Sequence, residues 1–170
     1  MIYSIADPSQ LLGVDKDKYF MKEALKEAKK AFDLDEVPIG AVLVYQDKVI
    51  AKGYNQVELL RDATAHAEML CLTAGAESME NWRLTDTTLY CTLEPCTMCA
   101  GAMFSSRVSR VVWGAPDLRV GANGSWVDLF SQKHPIHAIE VLGGILQEEA
   151  ADLMRRFFQK VRKNETGSDC

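Results

Sequence analysis

The sequence predicts a single three-layer α/β/α domain with helices on both faces of a five-stranded mixed β-sheet. Three observations predict this fold class. β-rich runs alternate along the chain with helical runs, which is the pattern of layered α/β domains. The chain has 170 residues, the length of one compact domain, and 48% of them are apolar, which suffices for a sizeable core. No repeat or linker divides it, so we expect one domain over residues 15–163, between an irregular arm (residues 1–14) and a polar tail (residues 164–170).

A helix and a β-hairpin are the first predicted elements. From Asp15 to Phe32, apolar residues recur every three or four positions among lysines and glutamates, which indicates a helix with one buried stripe. Asp15 or Asp17 is expected to cap this helix. Residues 40–45 and 49–54 are β-rich, and the short turn between them predicts a hairpin.

Helices and strands alternate over the rest of the chain. Residues 65–79 favour a helix and residues 87–93 favour a strand. Pro95 is a helix-start signal, so a helix is expected from Cys96 to Ser105. The remaining predicted elements are two strands and a closing amphipathic helix, at residues 108–113, 138–142 and 147–163.

The charge of the chain is unevenly distributed. The formal net charge is −5, which argues against a protein that coats nucleic acid through bulk positive charge. However, residues 1–99 carry 16 acidic and 10 basic side chains, whereas residues 100–164 carry 6 acidic and 9 basic ones. The acidic total therefore leaves room for recognition of one small nucleic-acid element by the basic part of the chain.

The terminus and the cysteines indicate a cytoplasmic protein without a membrane partner. Residues 1–8 contain no basic stretch, and no apolar run approaches the roughly 20 residues that span a bilayer. Five cysteines are an odd number, and in a reducing compartment a close pair such as Cys96 and Cys99 predicts a metal or redox site. Cys71 and Cys91 are expected in the core, and Cys170 is expected to be an exposed thiol.

Two short strings carry the chemistry: His66-Ala67-Glu68 and Pro95-Cys96-Thr97-Met98-Cys99. Cysteines three apart in a first helical turn face the same side, and the positive helix end favours their thiolates. With His66 they form a Cys₂His set, which leaves zinc one open position for water, as in catalytic zinc sites. Glu68 is not needed as a ligand and is predicted to carry protons to and from that water.

Less specific interpretations exist for these strings. A Cys-x-x-Cys pair alone also fits a dithiol oxidoreductase, which would bind no zinc. A lone histidine is more often a core residue than a ligand. A zinc-stabilised RNA-binding subunit without catalysis would have no need of Glu68, which is present.

Longer strings support a family resemblance. They are residues 37–44 (VPIGAVLV), 53–55 (GYN), 64–68 (TAHAE), 89–103 (LYCTLEPCTMCAGAM), 121–125 (GANGS) and 143–145 (GGI). With them the chain resembles the bacterial tRNA-specific adenosine deaminases over nearly all of residues 18–163. Their zinc strings are shared with the wider zinc deaminase superfamily, including the deaminases of free guanine or cytosine, which remain the alternative function.

The resemblance implies a cytidine deaminase-like fold, one Zn²⁺ per subunit and deamination of the wobble adenosine of a tRNA anticodon to inosine. It implies that His66, Cys96 and Cys99 bind the zinc and that Glu68 is the proton shuttle. The residues implied to line the substrate pocket are Val37, Pro38, Ile39, Asn55 and Ala67. Asn55 could instead end a strand, and residues 37–39 could be ordinary core. Residues 134–137 (HPIH) depart from the family pattern, which leaves substrate contacts there open.

The implied partners are a tRNA anticodon loop and a second copy of the chain, with no DNA partner. Candidate phosphate contacts are Arg107, Arg110, Arg119, Arg155, Arg156, Lys160, Arg162 and Lys163. For those on the last helix, a solvated helix face is the simpler interpretation. Apolar residues of the zinc helix, namely Met98, Ala102, Met103 and Phe104, fit a dimer interface and a core equally well.

Overall fold

The computed structural model describes residues 7–166, and side chains as far as residue 164. After a 3₁₀ turn at Pro8–Gln10, the helices are α1 (Gly13–Asp33), α2 (Val57–Leu60), α3 (Ala67–Ser78), α4 (Thr97–Ser105) and α5 (Gln147–Thr166). The strands are β1 (Gly40–Tyr45), β2 (Lys48–Tyr54), β3 (Thr87–Leu93), β4 (Arg110–Ala115) and β5 (Glu140–Leu142). No helix among these is long and apolar enough to cross a membrane.

The five strands form one mixed sheet in the order β2-β1-β3-β4-β5. β1 is antiparallel to both neighbours, while β3, β4 and β5 run parallel. Side chains alternate between two cores: Leu43 and Leu89 pack towards α3 and α4, whereas Val42 and Tyr90 pack towards α1. This confirms the predicted three-layer α/β/α fold with a five-stranded mixed sheet.

The connection from β3 through α4 to β4 positions the chemistry. Because β3 and β4 are parallel, their carboxyl ends meet at one edge of the sheet, where open α/β sheets bind their ligands. α3 packs on the same face as α4 and starts at the same edge. The first residues of both helices therefore lie together.

The structure corrects the predicted cap of α1. The helix begins at Gly13 with Leu12 at the N-cap, and Asp15 lies in the first turn, where a carboxylate suits the positive helix end. Asp17 is buried and accepts hydrogen bonds from the hydroxyl of Tyr90 (2.9 Å) and from both terminal nitrogens of Arg110 (2.6 and 3.0 Å). Asp17 therefore fastens α1 to the sheet and does not cap the helix.

Several predicted boundaries also shift. The predicted irregular arm contains the 3₁₀ turn and the start of α1, while its residues 1–6 lie outside the described part of the chain. β4 starts two residues later than expected, after a turn in which Arg107 adopts a φ of 64°. α5 continues to Thr166, into the predicted tail, and Cys170 lies beyond the described residues. Cys71 and Cys91 are core residues, as predicted.

Candidate active site

Two helix N-termini bring three soft ligands to one point. His66 is the N-cap residue of α3, Cys96 is that of α4, and Cys99 lies in the first turn of α4. Nδ1 of His66 lies 3.6 Å from Sγ of Cys96 and 3.5 Å from Sγ of Cys99, and the three atoms lie within 4.8 Å of one another. Around tetrahedral zinc, with Zn–N near 2.0 Å and Zn–S near 2.3 Å, such atoms are about 3.5 Å apart. The donor set fits one zinc ion.

The two thiols of this cluster have opposite proton affinities. The hydrogen bond from the Cys99 thiol, with a further contribution from His66, lowers the pKa of Cys96 to about 4. The same bond raises the pKa of Cys99, and burial adds to the effect. Cys96 is thus a thiolate at neutral pH, the state that a zinc ligand requires.

Glu68 is buried two residues after the candidate ligand His66, in the first turn of α3. Burial raises the pKa of this carboxyl to about 7, and the negative charge of Cys96 acts in the same direction. A carboxyl with a pKa near neutral pH gains and loses a proton readily, which is the requirement for a general acid and base. The position and environment of Glu68 fit the predicted proton shuttle.

A cavity of about 210 Å³ opens beside the cluster. Its lining includes His66, Asn55, Val37 and Ile39. Asn55 is buried, and its Nδ2 donates a hydrogen bond of 3.1 Å to Oε2 of Glu36, which fixes the amide. The cavity therefore combines apolar residues with one oriented amide and several charged side chains, an arrangement suited to a flat, polar-edged ligand.

Glu36 holds this side of the cavity in place. Its buried carboxylate accepts the backbone N–H of Leu59 (2.6 Å) and of Glu58 (3.3 Å), in addition to the amide of Asn55. It therefore joins the end of β2 to the short helix α2, which the sequence did not predict. Val57 and Glu58 of α2 also line the cavity.

The match to known proteins covers most of the chain. The family described as the cytidine and deoxycytidylate deaminase zinc-binding region matches residues 14–115. A tRNA-specific adenosine deaminase from Bacillus subtilis is 46% identical over 148 residues, which cover 87% of this chain and 92% of that protein. The chain belongs to the tRNA-specific adenosine deaminase family.

Two further relatives agree with membership of this deaminase family. A solved structure from a study of A-to-I editing by tRNA:A34 deaminases is 45% identical, has a TM-score of 0.76 and covers 79% of this chain and 98% of that chain. The chloroplast tRNA(adenine(34)) deaminase of Arabidopsis thaliana is 53% identical over 159 residues, which cover 84% of this chain but only 12% of that protein. The cytidine deaminase-like fold implied by the sequence is confirmed.

Some of the predicted substrate-binding residues line the cavity beside the His66, Cys96 and Cys99 cluster. Val37, Ile39 and Asn55 line it, together with the ligand His66. Pro38 and Ala67 are buried and adjacent in sequence to these residues, but neither is among the residues that line the cavity. Contact of these five predicted positions with a substrate stays a prediction.

The predicted RNA-contacting cations divide into groups by position. Arg119 and Arg155 border a larger cavity of about 540 Å³, between the end of β4 and α5, which adjoins the substrate cavity at Leu93 and Met154. Arg156 and Lys160 lie on α5, where both contact the ring of Phe32. Among these four cations, Arg119 lines both cavities and Arg155 lines the larger one.

Arg107 and Arg110 lie away from the ligand cluster. Arg107 follows α4, whose opposite end carries the candidate ligands Cys96 and Cys99, roughly 13 Å away for a helix of this length. It donates to the carbonyls of Phe104 and Ser105. Arg110 starts β4 at the amino end of the parallel strands and is paired with Asp17. Both arginines make contacts within the chain, and their predicted contact with RNA stays a prediction.

Sequence reasoning missed the acidic residues that shape the cavity: Glu36, Glu94 and Asp117. All three are buried, and Glu36 and Asp117 also line the cavity. Two of them share a signal, a position just after a strand at the functional edge of the sheet: Glu94 follows β3 directly, and Asp117 follows β4 by two residues. Glu36 follows no strand, so this signal does not find it.

Proposed function

We propose that this chain hydrolyses the wobble adenosine of a tRNA anticodon to inosine and releases ammonia. The observation that carries the proposal is the buried carboxyl of Glu68 beside the His66, Cys96 and Cys99 cluster, at a cavity with an oriented amide. Curated relatives with this activity in their names, and a related solved structure, support the choice of substrate.

The site supplies both the nucleophile and the proton transfers. When bound, Zn²⁺ lowers the pKa of a coordinated water to about 7, which provides hydroxide at neutral pH. Glu68 would take up one proton of the attacking water and deliver it to the ring nitrogen next to C6 of adenine. The water oxygen bonds to C6, and Glu68 then takes the proton of the new C6 hydroxyl and passes it to the amine. The C6–N bond breaks, ammonia leaves, and C6=O with a protonated ring nitrogen remains.

The dimensions of the cavity select an unstacked base. A buried site of about 210 Å³ cannot reach an adenine within a duplex, so the substrate is a nucleotide splayed out of a single-stranded loop. Asn55 offers hydrogen bonds to the edge of that base, and Val37 and Ile39 offer apolar contact. An anticodon loop provides such a nucleotide.

A comparison of substrates tests this assignment. Anticodon stem-loop RNA, its DNA counterpart, and free adenine, guanine and cytosine are incubated with zinc-loaded protein, and ammonia is measured. We expect ammonia from the RNA alone. Release from a free base but not from the stem-loop would favour the free-base deaminase alternative and overturn the proposal.

Binding of the stem-loop is expected to weaken as salt increases. The cations around the larger cavity, Arg119 and Arg155, would release counterions from RNA phosphates. Arg155→Ala should weaken binding and reduce the slope of log affinity against log salt by about one. Lys26→Ala, an exposed α1 lysine, serves as the matched control with no change. Equal slopes for wild type and Arg155→Ala, measured by fluorescence anisotropy, would contradict the contact.

We further propose that the chain forms a homodimer through an apolar groove between α3 and α4. Met69, Leu72, Trp82 and Ala102 line this groove, and the Trp82 side chain is 52% exposed. An apolar surface of this kind is typical of an interface. Light scattering should give twice the mass of one chain for the wild type. Trp82→Glu should shift the measured mass towards that of a single chain. A monomeric wild type at micromolar concentration would contradict the dimer.

The structure divides the four apolar residues of the zinc helix between core and surface. Met103 and Phe104 are buried in the core. Met98 and Ala102 are partly buried and lie at the edge of the core. Of the four, Ala102 lines the groove and is the residue best placed for the proposed interface.

A further inference from the structure

The carboxylate of Glu94 is bonded to the loop that follows β4. Glu94 directly follows β3 and is 2% exposed. Its Oε1 accepts the backbone N–H of Asn123 (2.8 Å) and of Ser125 (3.3 Å), and its Oε2 accepts the backbone N–H of Asp117 (3.1 Å) and the hydroxyl of Ser125. One side chain thus binds four donors from a short stretch of chain.

That stretch, the wall loop (residues 116–125), forms one side of the substrate cavity. Asp117, Arg119 and Val120 line the cavity together with His66. The side chains of residues 118–120 are exposed, so little apolar burial holds this part of the loop in position. Its position depends instead on hydrogen bonds to its backbone.

The wall loop lies directly against Glu94 and the start of α4. A Cβ atom on Gly121 would come within 2.4 Å of Cδ of Glu94, so the loop backbone touches the carboxylate. The N–H of Ala122 donates to the carbonyl of Pro95 (2.8 Å), and Gly121 forms a β-bridge with the ligand Cys96. The attachment to Glu94 therefore fixes the position of the wall loop relative to the ligand cluster.

We propose that Glu94 is a positioning residue for substrate binding: its carboxylate holds the wall loop as the side of the nucleoside cavity. The inference rests on the proposed function for the identity of the substrate. Glu94 does not touch the reacting atoms in this role. Its loss releases the wall that contacts substrate, while the sheet, α3, Cys96 and Cys99 keep their own supports in the core.

The effect is therefore expected on binding more than on turnover. Charge-assisted hydrogen bonds from backbone N–H groups to a carboxylate are among the stronger ones in proteins. Glutamine keeps the shape of the side chain but presents an NH₂ group to donors that need an acceptor. Glu94→Gln consequently should mobilise the wall loop without emptying space in the core.

Hydrogen exchange on the zinc-loaded full chain is the first test, because it needs no substrate. In Glu94→Gln, the amides of Asp117, Asn123 and Ser125 should exchange at least about tenfold faster, while the amides of β1 and β3 keep their protection. Ser125→Ala removes one donor and should give a smaller change in the same direction. Because it is the milder substitution, it tests the proposal even if Glu94→Gln does not fold. Unchanged protection of the three amides in both variants would overturn the proposal.

Kinetics on anticodon stem-loop RNA are the second test. Glu94→Gln should raise KM by about tenfold, with kcat within about threefold and one zinc per chain, the pattern of lost binding contacts. Asp17→Asn changes a buried carboxylate at the other end of the sheet and should lower stability but leave KM unchanged. If wild type forms inosine but the KM of Glu94→Gln is unchanged, or if kcat falls together with zinc content, the proposal for Glu94 is wrong. A wild type that forms no inosine contradicts the proposed function itself.

Discussion

Glu68→Gln is expected to lower the rate of inosine formation by at least about a hundredfold while one zinc ion stays bound per chain. Glutamine matches the size of glutamate, so the first turn of α3 and the position of His66 should be preserved. It cannot accept and return a proton, and the proposed reaction needs both transfers. The measurements are single-turnover inosine formation on an anticodon stem-loop and zinc content by mass spectrometry.

Glu77→Gln is the matched control for this substitution. Glu77 lies on the same helix but is exposed, so the same chemical change there should alter neither zinc content nor turnover. Near-normal inosine formation by Glu68→Gln would show that another group carries the proton. Loss of zinc from Glu68→Gln would show that the carboxyl supports the metal site and not the proton transfer.

Cys99→Ala is expected to remove stoichiometric zinc and abolish turnover. Cys99 is the buried member of the ligand set, and its loss leaves two protein ligands, His66 and Cys96. A metal that binds only the folded chain stabilises it by about 3 to 4 kcal/mol at a few hundred times its Kd. Its loss should lower Tm by about 10 °C, since a domain of this size shifts about 2 to 4 °C per kcal/mol.

Cys91→Ala is the control for Cys99→Ala, because it removes a buried thiol that is not a predicted zinc ligand. Cys91 is fully buried in β3, where its thiol contacts the carbonyl of Val112. This variant should keep its zinc and its turnover, with a modest decrease in Tm from the small cavity. If Cys99→Ala retains one zinc per chain and normal activity, the proposed ligand set is wrong.

The candidate ligand set could be proposed from the sequence because its chemistry demands particular residue types at short spacing. Cys96 and Cys99 are three positions apart, His66 and Glu68 are two apart, and both pairs start helices. The fold class was predictable for a similar reason, since β-rich and helical runs alternate along the chain. In both cases the pattern that allows the prediction lies within short stretches of sequence.

The supports of the site were not predictable, because their partners are distant in sequence. Glu36 bonds to Asn55, Glu94 to Asp117 and Ser125, and Asp17 to Arg110. A buried carboxylate resembles an exposed one until the chain is folded. For that reason the sequence predicts Asp15 or Asp17 as the cap of α1, whereas Asp17 binds Arg110. The RNA contact predicted for Arg110 stays a prediction.

Family membership narrows the range of possible functions further than the geometry of the site does. A zinc-ligating cluster with a nearby carboxyl fits deamination of several bases. Relatives that match this chain over most of their own length carry the name tRNA-specific adenosine deaminase, which favours a base presented by a tRNA. The exposed cavity between β4 and α5, bordered by Arg119 and Arg155, is where the proposed function would place the flanking nucleotides.

Position-specific detection of inosine is the most direct test of this account. An anticodon stem-loop RNA with adenosine at the wobble position and at one other loop position is incubated with zinc-loaded wild type, and with Glu68→Gln as the blank. The expected result is inosine at the wobble position only, with wild type only, at one zinc per chain. No inosine from a zinc-loaded wild type, or equal conversion of both adenosines, would contradict the assignment of this chain as a wobble adenosine deaminase.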